Sequence, residues 1–139
     1  MVIGYTQGVF DMFHIGHLNL LRNAKSHCDY LIVGVNADDL VENYKHKTPV
    51  INELDRKSII ENIKCVDEAI IVNTRDKLEI SKLVRFNKIF VGDDWKNNAR
   101  WLSTVETMRE KNIEVVFLPY TKDISSTILR TEKDNKVSE

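Results

Sequence analysis

The stretch GVFDMFHIGHLNLLRNAK, residues 8–25, sets two imidazoles, His14 and His17, three positions apart where an apolar run gives way to helical spacing. Side chains three apart lie on one side of a helical turn. Such a pair can hold a metal ion, exchange protons, clamp a phosphate or serve the fold alone. A metal site would draw on Asp11 with His14 and His17, but no further histidine or cysteine ligand is nearby. A helix N-terminus, by contrast, presents unpaired N–H groups and a partial positive charge that favour phosphate. Gly8 and Gly16 let backbone come close to backbone or ligand. Together these groups would bind a polyphosphate and steady the charge that grows as it is cleaved, by position and electrostatics with no covalent intermediate.

Two further segments carry matching chemistry. ENYKHKTPVINELDRK (42–57) is polar, basic in its first half through Lys45 and Lys47, and ends at Arg56. It reads as a loop running into a helix, with Asn52 as N-cap and Asp55 in the first turn. LPYTKDISSTILRTE (118–132) crowds Asp123, Ser125, Ser126 and Thr127 just before an apolar helical pattern, as at a helix start. Each feature also has an ordinary reading. Lys45 and Lys47 would be solvated, Arg56 would form a surface ion pair worth little, and the hydroxyls would be caps. Trp95 and Trp101 would be packing residues. Convergence at one sheet edge is what separates the two readings.

The elements that must position these residues are legible as period. Five apolar stretches recur, at 2–10, 30–35, 68–72, 88–92 and 114–118, and the last four are nearly unbroken. Unbroken apolar runs belong to strands covered on both faces, as in a parallel sheet. Helical spacing fills the intervals: Leu18, Leu21 and Ala24; Ile59, Ile60 and Ile63; Leu78, Ile80 and Leu83; Leu102, Val105 and Met108. The alternation predicts a single doubly wound, Rossmann-like α/β domain over 1–132, with a five-stranded parallel sheet flanked by helices and a polar tail at 133–139. In such sheets ligands collect at the carboxyl ends of strands, near the switch in strand order. The helix after the first strand should begin close to His17.

Composition narrows the partners. The 139 residues carry 20 basic and 21 acidic side chains, a net charge of −1, so neither nucleic acid nor a membrane surface is an expected partner. No apolar run is long enough to span a bilayer. MVIGYTQG lacks the basic-then-apolar layout of a signal peptide, and Cys28 and Cys65 lack metal-ligand spacing; a reduced, cytoplasmic setting is the expectation.

On GVFDMFHIGHLNLL the chain resembles the HxGH nucleotidyltransferases, most closely the small cytidylyltransferases of the glycerol-3-phosphate cytidylyltransferase type. The likeness continues through YKHKTPV, DRKSIIENIKCVDEAI and VGDDW to ISST at 124–127. It implies transfer of CMP from CTP to a phosphorylated alcohol, with Mg2+ accompanying the CTP, and pyrophosphate as the second product. It also implies a homodimer that supplies an activated alcohol phosphate for surface-polymer or lipid synthesis. By resemblance His14 and His17 contact the nucleotide phosphates and stabilise the transition state. Lys45 and Lys47 close over the phosphates, and Arg56 helps to neutralise charge. Gly8, Val9 and Phe10 line the nucleotide, Asp94 recognises the nucleoside, and Ile124, Ser125, Ser126 and Thr127 hold the β- and γ-phosphates. Lys64 joins this set at a position where close relatives often carry arginine, and Asp11 has a structural or supporting role. The family's last motif reads near RTEGIST, whereas Tyr120 stands here where the arginine is expected and Asp123 replaces a glycine. A lost guanidinium removes a bidentate phosphate donor. The alternatives are an adenylyltransferase of the same superfamily using ATP, and a nucleotide-binding regulatory module without turnover.

Overall fold

All five apolar runs form strands: β1 (Ile3–Gly8), β2 (Tyr30–Asn36), β3 (Glu68–Val72), β4 (Lys88–Gly92) and β5 (Glu114–Leu118). The computed structural model describes residues 1–92 and 99–119. The strands pair in parallel in the order β3-β2-β1-β4-β5. The helices are α1 (Ile15–Lys25), α2 (Asp38–Lys45), α3 (Glu53–Glu61), α4 (Lys77–Leu83) and α5 (Ala99–Glu110).

The unbroken apolar runs are explained by two cores, one on each face. Leu31, Val33 and Val35 of β2 pack in one layer with Leu21 and Ala24 of α1 and Ile60 of α3. Ile32, between them, turns to the other layer with Ile80 of α4 and Met108 of α5. Fully burying a side chain of Leu21's size contributes about 2 kcal/mol. Gly34 sits where Tyr5 crosses from the neighbouring strand, and a Cβ there would collide with the Tyr5 hydroxyl.

β1 has β2 on one side and β4 on the other, so the strand order reverses at β1. The register carries Gly8, Asn36, Gly92 and Leu118 to the same edge of the sheet. That edge is where an open α/β sheet leaves a crevice.

One expectation shifts. Residues 42–45 are the last turn of α2 rather than loop, because Asp38 and Asp39 suit a helix N-terminus and Val41 is buried. The helix is too short to show a period, and His46 ends it in a left-handed conformation (φ 56°). Helix α1 begins at Ile15, two residues before His17, with His14 as its N-cap. Asn52 does cap α3, accepting from Asp55 N–H at 2.9 Å. Among the described residues no helix is long and apolar enough to cross a membrane. The 120–132 helix start and the 133–139 tail lie outside the described residues.

Candidate active site

Beyond Gly8 the chain makes a tight turn in which Phe10 (φ 53°) and Met12 (φ 50°) both take left-handed backbone. That conformation costs a side-chain-bearing residue about 1–2 kcal/mol. Two anchors hold it. The Phe10 ring is buried in the core shared by α1 and α3. The Asp11 carboxylate accepts the backbone N–H groups of Val50 (2.8 Å) and Ile51 (2.9 Å). Asp11 thus ties the histidine loop to the segment after α2, the supporting role expected of it.

The histidines cap the helix reciprocally. His14 Nδ1 accepts from Gly16 N–H (3.0 Å), and His17 Nδ1 accepts from the backbone N–H of His14 (3.2 Å). This is a capping box built from imidazoles in place of the usual hydroxyl and carboxylate. The rings stack with centroids 3.9 Å apart, and Phe10 and Phe13 flank His17 at 5.5 and 5.4 Å. Burial first, then the neighbouring His14, pushes the His17 pKa down to about 4, with Asp11 opposing. Burial lowers that of His14 as well. Both imidazoles are therefore neutral near pH 7. With each Nδ1 accepting, the ring proton of each must sit on Nε2. His14 Nε2 is buried with no hydrogen-bond partner among the described residues. A buried donor without an acceptor is costly, and a phosphate oxygen is the acceptor that suits a helix N-terminus.

The cations divide. Lys45 closes α2 and lies within electrostatic reach of Asp11, Lys47 and Arg75; burial, then Arg75 and Lys47, lower its pKa. It therefore stands near the histidine loop. Arg56 does not line the site. Its side chain is fully buried, and its guanidinium donates to Ile51 O, Val9 O and Asn36 O (2.8 Å each) and pairs with Asp38. Four of its five N–H donors are thus committed. The expectation that Arg56 neutralises substrate charge is corrected: it clamps the ends of β1 and β2 to the starts of α2 and α3, and so positions Val9.

Lys64 is also corrected. It lies in the turn between α3 and β3, three residues before Asp67, whose N–H bonds Leu31 O and whose carboxylate accepts from Leu31 N–H and Lys25. That is the amino edge of the sheet. Five strand steps of about 3.3 Å, roughly 16 Å, separate Leu31 from Asn36 at the opposite edge. Within one chain Lys64 cannot reach the histidines.

Gly8 ends β1 at the carboxyl edge with the Phe10 ring folded against it, and a Cβ there would stand 3.1 Å from that ring. Asp94, Ile124, Ser125, Ser126 and Thr127, with Tyr120 and Asp123, lie outside the described residues. The described strands that precede them, β4 and β5, end at Gly92 and Leu118 on the histidine edge. Among the described residues no three His, Cys, Asp or Glu side chains are placed to hold a metal ion. Sequence reading did not single out Tyr44, Arg75 and Lys77. Arg75 packs on the Tyr44 ring, its guanidinium carbon 4.0 Å from the centroid. Its position just beyond β3, at the carboxyl edge, is the signal that could have found it.

A parallel 3-2-1-4-5 sheet with a histidine-capped helix at its switch point defines a Rossmann-like domain. The chain belongs to the cytidylyltransferase-like family, whose model matches residues 5–132, and it is a nucleotidyltransferase. It is 35% identical over 128 residues to glycerol-3-phosphate cytidylyltransferase from Bacillus spizizenii, covering 91% of this chain and 93% of that one. It is 29% identical to the bifunctional protein HldE of Hyphomonas neptunium over 91% of this chain, but spans only 26% of that longer protein. The lipopolysaccharide core biosynthesis protein from Thermoplasma volcanium superposes with a TM-score of 0.73 at 27% identity, covering 89% of this chain and 99% of that one.

Proposed function

We propose that this nucleotidyltransferase moves CMP from CTP to a phosphorylated alcohol, of which glycerol 3-phosphate is the first candidate. The observation that carries the reading is the buried Nε2–H of His14, stacked on His17 at the start of α1 with no acceptor among the described residues. A phosphate oxygen of the acceptor attacks the α-phosphorus in line, the bond from that phosphorus to the bridging oxygen breaks, and pyrophosphate departs. The two Nε2–H groups donate to phosphate oxygens whose charge rises in the transition state. Preorganised donors of this kind need no reorientation as the charge develops. The N–H groups opening α1 add the field of the helix terminus, and Lys45 and Lys47 supply mobile positive charge over the phosphates. Mg2+ would arrive on the triphosphate, held by phosphate oxygens and water, since it keeps several waters when it binds; it would neutralise the departing pyrophosphate. Ser125, Ser126 and Thr127 serve the β- and γ-phosphates in this reading, and Asp94 the nucleoside.

The relative from Bacillus spizizenii supports CTP and glycerol phosphate by its own name, over almost its whole length. By the same resemblance the protein acts as a cytoplasmic homodimer feeding surface-polymer or lipid synthesis; light scattering on the purified chain tests the dimer. The deciding experiment measures pyrophosphate release with CTP or ATP against a panel of phosphorylated alcohols. Preference for CTP with one polyol or amino-alcohol phosphate supports the reading. Preference for ATP replaces it with adenylyl transfer, and tight CTP binding without pyrophosphate from any acceptor replaces it with a regulatory module.

A further inference from the structure

A relay of polar side chains runs from the core to the end of α2. Tyr5 donates to Gln7 Oε1 (2.7 Å); Gln7 Nε2 donates to Asn36 Oδ1 (2.7 Å) and to Thr74 O (2.9 Å); Asn36 Nδ2 donates to the Tyr44 hydroxyl (3.1 Å). The order of donors is forced. A backbone carbonyl can only accept, so Gln7 turns its NH2 group to Thr74 and its oxygen to Tyr5. Burial raises the pKa of the Tyr5 hydroxyl, which therefore keeps its proton. Both Gln7 N–H groups are then committed, so Asn36 must offer Oδ1 to Gln7 and Nδ2 to Tyr44. Asn36 is itself buried, and its backbone carbonyl accepts from Arg56. One residue at the end of β2 is thus tied to β1, α2 and α3.

The relay ends one residue short of Lys45, which closes α2. Beyond Lys45 the chain turns at His46 (φ 56°), and Asp11 then ties Val50 and Ile51 to the histidine loop. Lys45 and Lys47 therefore sit between two ties, one to the sheet through Asn36 and one to the histidine loop through Asp11. The Lys45 ammonium lies 5.8 Å from the centre of the Tyr44 ring, and the Arg75 guanidinium carbon 4.0 Å from the same point. Among the described residues neither Lys45 nor Lys47 forms an ion pair. A lysine on a flexible stem loses rotamer freedom when it binds an anion. Fixing the backbone and the ring beneath it reduces what remains to be ordered.

We infer that Tyr44, held through its hydroxyl by Asn36, is a positioning residue that sets the end of α2 from which Lys45 meets the nucleotide phosphates. This rests on the cytidylyl-transfer reading, which gives Lys45 its phosphate. Tyr44 touches no substrate in this assignment; it acts through the lysine that follows it. Its removal should therefore matter only while that lysine is present.

A double-mutant cycle of Tyr44→Phe and Lys45→Ala, read as the Kd for CTP by calorimetric titration, tests this. Tyr44→Phe keeps the ring and removes only the hydroxyl. Lys45→Ala should raise Kd about tenfold or more, the loss of a charge-assisted hydrogen bond. Tyr44→Phe should raise it about fivefold alone, and by less than about twofold once Lys45 is alanine. Equal rises in both backgrounds would overturn the assignment, because a direct contact or a general loosening does not need the lysine. An unchanged Kd in Tyr44→Phe would overturn it as well. If wild-type protein binds CTP but releases no pyrophosphate with any acceptor, the transfer reading fails alone and the cycle still decides the positioning. Preference for ATP moves the same cycle to ATP, and failure to bind either nucleotide ends both readings.

Discussion

In the proposed reaction His14 does two jobs with two atoms, and a single substitution can separate them. Nδ1 accepts the Gly16 N–H at 3.0 Å and caps α1, while Nε2 faces no described partner. Asparagine places its side-chain oxygen near the Nδ1 position and is among the best N-caps, but it offers nothing at the Nε2 position. His14→Asn should therefore keep stability within about 0.5 kcal/mol of wild type, against a loss of about 1 kcal/mol in His14→Ala, where the cap goes too. For a domain of this size 1 kcal/mol is about 4 °C in Tm. Turnover should respond in the opposite pattern. Both variants lose one donor to developing charge, a loss of about 3 kcal/mol or roughly 100-fold in kcat. Circular dichroism melts and coupled pyrophosphate release read the two effects on the same preparations. A His14→Asn protein turning over within tenfold of wild type would refute the donor role, and one melting as early as His14→Ala would refute the cap.

Further outcomes follow from neighbouring contacts. Since the folded His17 pKa lies near 4, below the ordinary 6.5, the unfolded chain binds more protons between those values. Stability from this group is present above pH 6.5 and is lost as pH falls towards 4; Tm measured across that window should drop less steeply in His17→Asn, and equal slopes would contradict the burial argument. His17→Ala should lower kcat by about two orders of magnitude; near wild-type turnover would remove His17 from the mechanism. Arg56→Ala takes a fully buried guanidinium away from three carbonyls and from its ion pair with Asp38, and should cost about 3–5 kcal/mol; a denaturant midpoint near wild type would show that the clamp is dispensable. Gly34→Ala should cost about 1–3 kcal/mol by overpacking against Tyr5, and less when combined with Tyr5→Phe; purely additive losses would place the clash elsewhere.

What could be read from the chain was local and periodic. The strands stood out because burial on both faces removes polar alternation, and β3, β4 and β5 fall on the expected runs 68–72, 88–92 and 114–118. GVFDMFHIGH announced a helix start because its spacing alone puts both imidazoles at one turn. Helix α2 escaped notice because eight residues with a single buried side chain carry too little pattern.

Tertiary structure decided everything that depends on which element lies beside which. Arg56 and Lys64 look alike in sequence as cations in a polar stretch, yet α3 carries one into the interior at the carboxyl edge and leaves the other at the amino edge. Arg75 and Tyr44, 31 positions apart, meet only because β2 and β3 pair and their carboxyl ends share a rim. Which nitrogen of each histidine keeps its proton is likewise set by the backbone N–H groups that the cap aims at Nδ1. Period and composition are properties of neighbours along the chain; burial, charge pairing and tautomer are properties of neighbours in space, and the parallel sheet brings those together across the whole length of the sequence.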